Sequence, residues 1–347
     1  MLIPGPAELS AKTRAEAGRQ MIPHRGPEFK EILAGLEEGM KRVLGTGERV
    51  FTIAGSGTAG VEFLAANAVH PDDKVVCLAN GKFGKRFAEI ASIYSHDTKT
   101  FVADYGNPLQ YDAADADVVV MIHNETSTGV LNDVEKVRED FPNALLLVDA
   151  VSGIGNPLEV EAMGLDGVAT ASQKAIAAPP GLAFASLSER AARKALENPR
   201  KPPYYLDYRK YAKAAERNET PFTPAESVVF AAASRVKEIL EEGMAGFVER
   251  HAANAEFVRK RVIEMGLPLL PKNGAVPSNV VTAVETPAAD EIRAKARERG
   301  FVFAGGQDEL RGKIFRIAHM GDTTREELRA AMDALEESIG EKAPAPA

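Results

Sequence analysis

An α/β architecture, in which a mostly parallel sheet covered by helices is followed by a smaller α+β layer, is predicted by three observations. Short β-type runs alternate with longer amphipathic stretches through the first two thirds of the 347 residues, the order expected of βαβ units. Those runs are apolar on both parities, which suits strands buried on both faces. Near residue 240 the texture changes to a compact β-α-β-β-α order.

The strands are placed at residues 49–54 (RVFTIA), 74–78 (KVVCL), 118–122 (VVVMI), 144–148 (ALLLV), 167–171 (GVATA) and 183–186 (AFAS). Between them, residues 28–44, 58–69, 82–94 and 131–141 repeat apolar side chains three and four apart and are expected as the covering helices. The Pro-rich, tyrosine-bearing stretch 198–211 (NPRKPPYYLDYRKY) reads as a surface excursion or a dimer contact. Two long helical patterns follow at 226–242 and 246–265, parted by Gly243. The last layer is expected as strands 280–284, 302–304 and 313–317 with helices 291–299 and 324–339. The division read from this is an arm (1–20), a large domain (21–240), a small domain (241–340) and a disordered tail, 341–347 (EKAPAPA).

Composition narrows the function. Lys and Arg number 42 against 50 Asp and Glu, a formal net charge of -8, which gives no electrostatic reason to expect nucleic acid or an anionic membrane as partner. The single cysteine, Cys77, supplies neither an internal disulfide nor a thiolate cluster, which fits a reducing compartment, the cytoplasm by default. No apolar run approaches the ~18 residues that a membrane span needs. His70, His96 and His251 have no partner at metal-ligand spacing, so no metal is expected. Cys77 lies mid-strand and reads as core packing.

Three local patterns carry chemistry. Residues 55–60 (GSGTAG) follow a strand and open a helix, so the backbone N–H groups of the helix start face an incoming anion. A dinucleotide reading requires an acidic residue at the end of the next strand. That strand runs out at Leu78, Ala79 and Asn80 without one, and Asp72 and Asp73 precede it. Asp149 emerges at the carboxyl edge of the sheet, where ligands of open α/β folds bind; its plainer reading is an N-cap for the segment that starts at Val151. Lys174 follows Ser172 and Gln173 in a loop of small and apolar residues closed by Pro179, Pro180 and Gly181, where desolvation would lower its pKa toward nucleophilic service. An anion cradle, a carboxylate for a ring nitrogen and an amine for an aldehyde are the three things that pyridoxal phosphate asks of a protein.

At this point the sequence resembles the class V aminotransferases of PLP fold type I, nearest to the branch of serine–pyruvate and alanine–glyoxylate aminotransferases. The likeness covers nearly the whole chain. It rests on Pro4, Gly5 and Pro6, residues 24–29 (HRGPEF), 55–58 (GSGT), 80–84 (NGKFG), 123–129 (HNETSTG), 148–152 (VDAVS), 172–174 (SQK), 179–181 (PPG), 223–224 (TP) and 315–321 (FRIAHMG). The resemblance implies that Lys174 holds the cofactor covalently and later shuttles the Cα proton, and that Asp149 pairs with the ring nitrogen. It further implies that Ser56, Gly57, Thr58 and Gln173 bind the phosphate, with Thr223 reaching the phosphate of a neighbouring subunit in a homodimer. Phe83 falls where the family stacks an aromatic ring, often Trp, on one face of the cofactor. Val151 would press on the other face, and Thr126 would bond the phenolic oxygen. Arg316 would grip the substrate carboxylate, with Gly5 and Arg25 beside the substrate.

The expected reaction is a ping-pong amino transfer between a small amino acid, alanine or serine, and a 2-oxo acid, glyoxylate or pyruvate. An aspartate-using enzyme of the same family is the alternative, with Arg25 as the candidate second cation. More remote are a nicotinamide oxidoreductase, resting on residues 55–60, and a non-enzymatic subunit of a larger assembly.

Overall fold

The computed structural model describes residues 1–113 and 115–340; the expected tail at 341–347 lies outside them. A seven-stranded sheet forms the centre. Its strands in chain order are β1 (Val50–Ala54), β2 (Lys74–Ala79), β3 (Asp97–Val102), β4 (Val118–Ile122), β5 (Leu145–Asp149), β6 (Gly167–Ala171) and β7 (Leu182–Leu187). They lie in the order β1-β7-β6-β5-β4-β2-β3. Every pairing is parallel except those of β7, which runs against both β1 and β6. All residues of β4, β5, β6 and β7 are buried, as expected of a sheet with helices on both faces.

The reversal at β7 positions the chemistry. Because β6 rises and β7 descends, the loop between them turns at the carboxyl edge of the parallel strands. Ser172 pins that loop: its N–H donates to Leu182 O (3.0 Å), its Oγ donates to Pro179 O (2.6 Å), and its carbonyl accepts Ala178 N–H (2.9 Å). Residues 173–177 are thereby held over the same edge from which β1, β4 and β5 deliver their loops.

A second layer is built on three antiparallel strands, β8 (Val281–Glu285), β9 (Ala304–Gly305) and β10 (Ile314–Ala318), ordered β8-β10-β9. With helices Ala289–Glu298, Arg325–Gly340 and Met244–Glu264 it encloses its own core around Phe303, Phe315, Leu328 and Met332. The start of the chain joins this layer to the first. Leu2 N–H donates to Val302 O (2.9 Å) and Leu2 O accepts Ala318 N–H (2.8 Å), while Ala7 N–H donates to Gln173 O (2.9 Å).

Some elements depart from expectation. β3 is an edge strand of sequence DTKTFV with mostly exposed side chains, so it lacks the buried run that marks its neighbours. The helix expected over 131–141 spans only Val134–Asp140, because Asp133 caps it by accepting Lys136 N–H (2.9 Å) and Leu131 instead pairs with Asn124 and Val276. The stretch 198–211 is only partly an excursion. Tyr204–Leu206 forms a short 3-10 turn and Tyr208–Ala215 a helix, and Tyr211 is buried against Phe51 and Phe63. Short helices at Ala11–Ala17 and Glu189–Glu197 also lay below the resolution of the periodicity argument. Among the described residues no helix is long and apolar enough to cross a membrane.

Two buried histidines tie the second layer to its surroundings in their neutral form. His251 Nδ1–H donates to Phe247 O (2.7 Å) while Nε2 accepts Gly321 N–H (3.1 Å). His319 Nδ1–H donates to Asn279 O (2.8 Å), and its Nε2 meets Thr282 Oγ1 at 2.9 Å. Burial pushes them down to about 4 and about 3, and His123 to about 4. Between those values and the ordinary 6.5 the unfolded chain binds protons that the folded chain refuses. Stability is therefore complete above pH 6.5 and falls as the pH drops toward 4, by on the order of 2 kcal/mol per histidine at pH 4.5. Buried Glu125 and partly buried Glu37, both pushed up by desolvation and the latter to about 7, act in the opposite sense and offset part of this loss. The expected outcome is a melting temperature markedly lower at pH 4.5 than at pH 7, with the difference reduced in His319→Gln. A pH-independent Tm across that window would contradict the assignment.

Candidate active site

A cavity of about 170 Å³ opens at the carboxyl edge of the main sheet. Its walls come from the ends of five strands: Ser56, Gly57 and Thr58 after β1; Phe83 and Arg86 after β2; Thr126 after β4; Asp149 at the end of β5 with Val151 and Ser152 after it; Gln173 and Lys174 after β6. Nine of the residues expected from sequence thus meet in one place. Gly5 and Arg316 adjoin it. A Cβ on Gly5 would lie 2.7 Å from Lys174 Nζ, and the Arg316 guanidinium acts electrostatically on Lys174. Two expected residues do not line it. Thr223 is exposed and borders a separate small hollow with Tyr205 and Phe222, and Arg25 is exposed ahead of the Pro27–Leu44 helix. Within a single chain neither reaches the cavity, so their expected contacts require a second subunit.

The anion cradle is the start of the Gly57–Ala68 helix. Ser56 occupies the N-cap but its side chain makes no capping bond, so the first N–H groups and the hydroxyl remain available to a ligand. Gly57 is demanded by close approach: a Cβ there would lie 2.6 Å from Val151 Cγ2 and 3.2 Å from Ala171 Cβ. Gly60 lets the helix settle on the sheet, with Ala169 and Ala183 each 3.1 Å from where its Cβ would be. At the end of β2 Asn80 bonds Asn132 and the Asn107 carbonyl, an arrangement with no acceptor for a ribose.

Asp149 is 1% exposed and uses its two oxygens differently. Oδ1 accepts Val151 N–H (2.9 Å), the local turn bond that the capping reading anticipated. Oδ2 accepts from Arg86 Nη2 at 2.5 Å, and Arg86 Nη1 donates to Thr58 Oγ1 (3.0 Å). Arg86 was missed by sequence reasoning. Its signal is position: it lies three residues after Phe83 on a helix that opens at the sheet edge, so both side chains share one face.

That helix is fixed at its start by Glu125, whose carboxylate accepts Phe83 N–H (3.0 Å), Gly84 N–H (2.9 Å) and Ser127 N–H (2.9 Å). Gly81 serves this contact, since a Cβ there would sit 2.4 Å from Glu125 Cδ. Thr126 couples two regions. Its Oγ1 is 2.5 Å from Ser152 Oγ at the cavity wall, and its carbonyl accepts Arg316 Nη1 (2.9 Å). Arg316 is otherwise held by Gly305 O through Nε (3.1 Å) and Nη2 (2.8 Å). Three of the five guanidinium N–H donors are thus engaged, and burial lowers the group to about 10 against the upward pull of Glu125.

Lys174 Nζ donates to Pro4 O. Burial first, then the positive charges of Arg316 and Arg86, push the amine down to about 8, with Asp149 opposing. A buried amine that is neutral in a substantial fraction at mildly alkaline pH is suited to attack a carbonyl carbon. Among the described residues, buried Gln173 Oε1 and Arg86 Nε have no hydrogen-bond partner. Such atoms, on two residues that line the cavity, suit a polar ligand.

The family profile for class V aminotransferases matches residues 7–262. The chain belongs to the class V aminotransferases. It is 35% identical to the small subunit of a soluble hydrogenase from Synechococcus over 98% of this chain and 93% of that protein. It is 33% identical to the L-aspartate–glyoxylate aminotransferase of Paracoccus denitrificans over 93% and 87% of the two chains. The crystal structure of an alanine–glyoxylate aminotransferase from Nostoc superposes with a TM-score of 0.90 at 28% identity, covering 97% of this chain and 94% of that one. The fold is therefore PLP fold type I, and the family's cofactor is pyridoxal phosphate. The unsatisfied Gln173 and Arg86 atoms, the uncapped helix start and the depressed amine of Lys174 are chemically matched to that group.

The cradle yields a direct test. Gly57→Ala places a methyl group against Val151, and relief of an overpacked wall of this kind costs ~1–3 kcal/mol, or about tenfold in binding. Fluorescence titration of the apo-protein should show pyridoxal phosphate affinity reduced to that extent, together with a thermal melt lowered by a few degrees. Unchanged affinity would show that the helix start is not the cradle.

Proposed function

We propose that this aminotransferase moves the amino group of a small amino acid, alanine or serine, to glyoxylate or pyruvate, with Lys174 as the proton-transferring base. The observation that carries the reading is the placement of the Lys174 amine, lowered to about 8, in one cavity with Asp149.

When bound, pyridoxal phosphate supplies an aldehyde for covalent attachment and a ring that accepts the electrons of the broken Cα–H bond. The protein does the rest. Ser56, Gly57, Thr58 and Gln173 hold the phosphate, and Asp149 faces the ring nitrogen. Phe83 and Val151 flank the ring, and Thr126 donates to its phenolic oxygen. The Lys174 ε-amine would hold the cofactor and, when free, would accept and return the Cα proton of the substrate. The free fork of Arg316 aligns the substrate carboxylate, and Gly5 leaves room beside the lysine. The homodimer completes the site, with Thr223 of the partner subunit reaching the phosphate and Arg25 of the partner subunit approaching the substrate.

The donor follows from the charges. Arg316 can serve one carboxylate; Arg86 is committed to Asp149 and Thr58, and Arg25 stands outside the cavity of its own chain. A single grip favours a donor with an uncharged side chain. Aspartate, the substrate in the name of the Paracoccus relative, is the second reading and requires Arg25 from a partner. The hydrogenase subunit named among the relatives finds no thiolate cluster here: the chain has one cysteine, buried in β2 with its thiol pushed up to about 12.

Two measurements check this. Lys174→Ala should lose the absorbance of lysine-bound cofactor and roughly a thousandfold or more of its turnover, whereas normal turnover would refute the mechanism. Uptake of pyridoxal phosphate by the apo-protein should accelerate as pH rises through about 8, where the amine sheds its proton. A donor panel scored by bleaching of the bound cofactor then separates alanine and serine from aspartate.

A further inference from the structure

Arg86 joins three walls of the cavity. Its Nη2 bonds Asp149 Oδ2 at 2.5 Å, its Nη1 bonds Thr58 Oγ1 at 3.0 Å, and its guanidinium carbon lies 5.1 Å from the centroid of the Phe83 ring. The base of this bridge is rigid, because the helix that carries Arg86 (Lys82–Tyr94) is clamped at its start by the Glu125 carboxylate and by Ser127 Oγ, which accepts Lys82 N–H (3.0 Å). Asp149 otherwise receives only the Val151 N–H on its other oxygen. Facing it are Lys174, which it attracts, and Glu125, which it repels. Removing Arg86 would leave a nearly inaccessible carboxylate with no directly bonded counter-charge and no second hydrogen bond, only the more distant attraction of Lys174, and burial drives such a group toward its protonated form.

We propose that Arg86 is the positioning residue that keeps Asp149 charged and aimed at the ring nitrogen of the cofactor while holding Thr58 at the phosphate end. The inference rests on the assignment of Asp149 to the ring nitrogen. Arg86 bonds Thr58 and Asp149 at once, so one side chain ties the position of the phosphate end to that of the ring-nitrogen end. Its buried Nε has no hydrogen-bond partner, so the side chain keeps one donor uncommitted.

The experiment titrates pyridoxal phosphate into apo-protein between pH 5.5 and 8.5 for the wild type, Arg86→Gln and Arg86→Lys, reading Kd by fluorescence and the spectrum of the bound cofactor. Loss of a charge-assisted bond predicts affinity about tenfold weaker in Arg86→Gln at neutral pH. The deficit should widen as pH falls, because the unpaired Asp149 then takes up a proton. Arg86→Lys restores the charge but cannot reach both partners, so it should keep the wild-type pH profile with severalfold weaker binding. An Arg86→Gln protein with wild-type Kd and profile overturns the proposal, as does Arg86→Lys sharing the acid-sensitive profile of Arg86→Gln. If the thermal melt shows Arg86→Gln to be unfolded, Arg86→Lys decides alone, and unchanged affinity there overturns it. A wild-type protein that takes up no cofactor would instead sink the assignment of the ring site itself, before any variant is compared.

Discussion

A carboxylate at the end of a central parallel strand is a demanding thing to bury. Desolvating an unpaired charge costs several kcal/mol, and Asp149 escapes that cost only because its neighbours are arranged around it. Arg86 supplies the counter-charge and Val151 the turn bond, while Glu125 anchors the helix from which Arg86 extends. Much of the local architecture follows from that requirement. Gly81 exists to let Glu125 approach, and the reversal of β7 carries Lys174 to the edge where Asp149 emerges.

The same economy links the cofactor and substrate regions. Thr126 presents its hydroxyl toward Ser152 at the cavity wall and its carbonyl to Arg316, so the loop after β4 is shared by both. Arg316 reaches this point from β10 of the second layer and is held there by Gly305 of β9. A guanidinium carried by one layer and bonded by a backbone oxygen of the other makes the orientation of Arg316 depend on how the two layers sit together.

Much of this was legible in the chain. Strands 118–122 and 167–171 and helices 82–94 and 226–242 match the expected spans to the residue, because buried parallel strands and amphipathic helices leave unambiguous periodicities. β3 was invisible, since an edge strand with one neighbour has no need of a buried run. Residues 198–211 misled because prolines hid a helix whose buried face is carried by Tyr211. At the site, Lys174, Asp149 and the 55–60 loop announced themselves by being polar or glycine-rich among apolar residues. Arg86 did not: arginine on a solvent-exposed helix face is ordinary, and only the fold shows it turning inward. Thr223 and Arg25 lie away from the cavity of their own chain, and the geometry of one chain carries no signal that would draw them to it.

The arm at the start of the chain is a short cable with both ends fastened. Leu2 is a rung against Ala318 and Val302, Pro4 accepts the Lys174 amine, and Ala7 is tied to Gln173. Slack introduced between Leu2 and Ala7, by a single inserted residue for instance, would change the reactivity of a side chain some 170 positions away in sequence. A tilt of the second layer would therefore pull on the loop that carries Lys174 through these bonds.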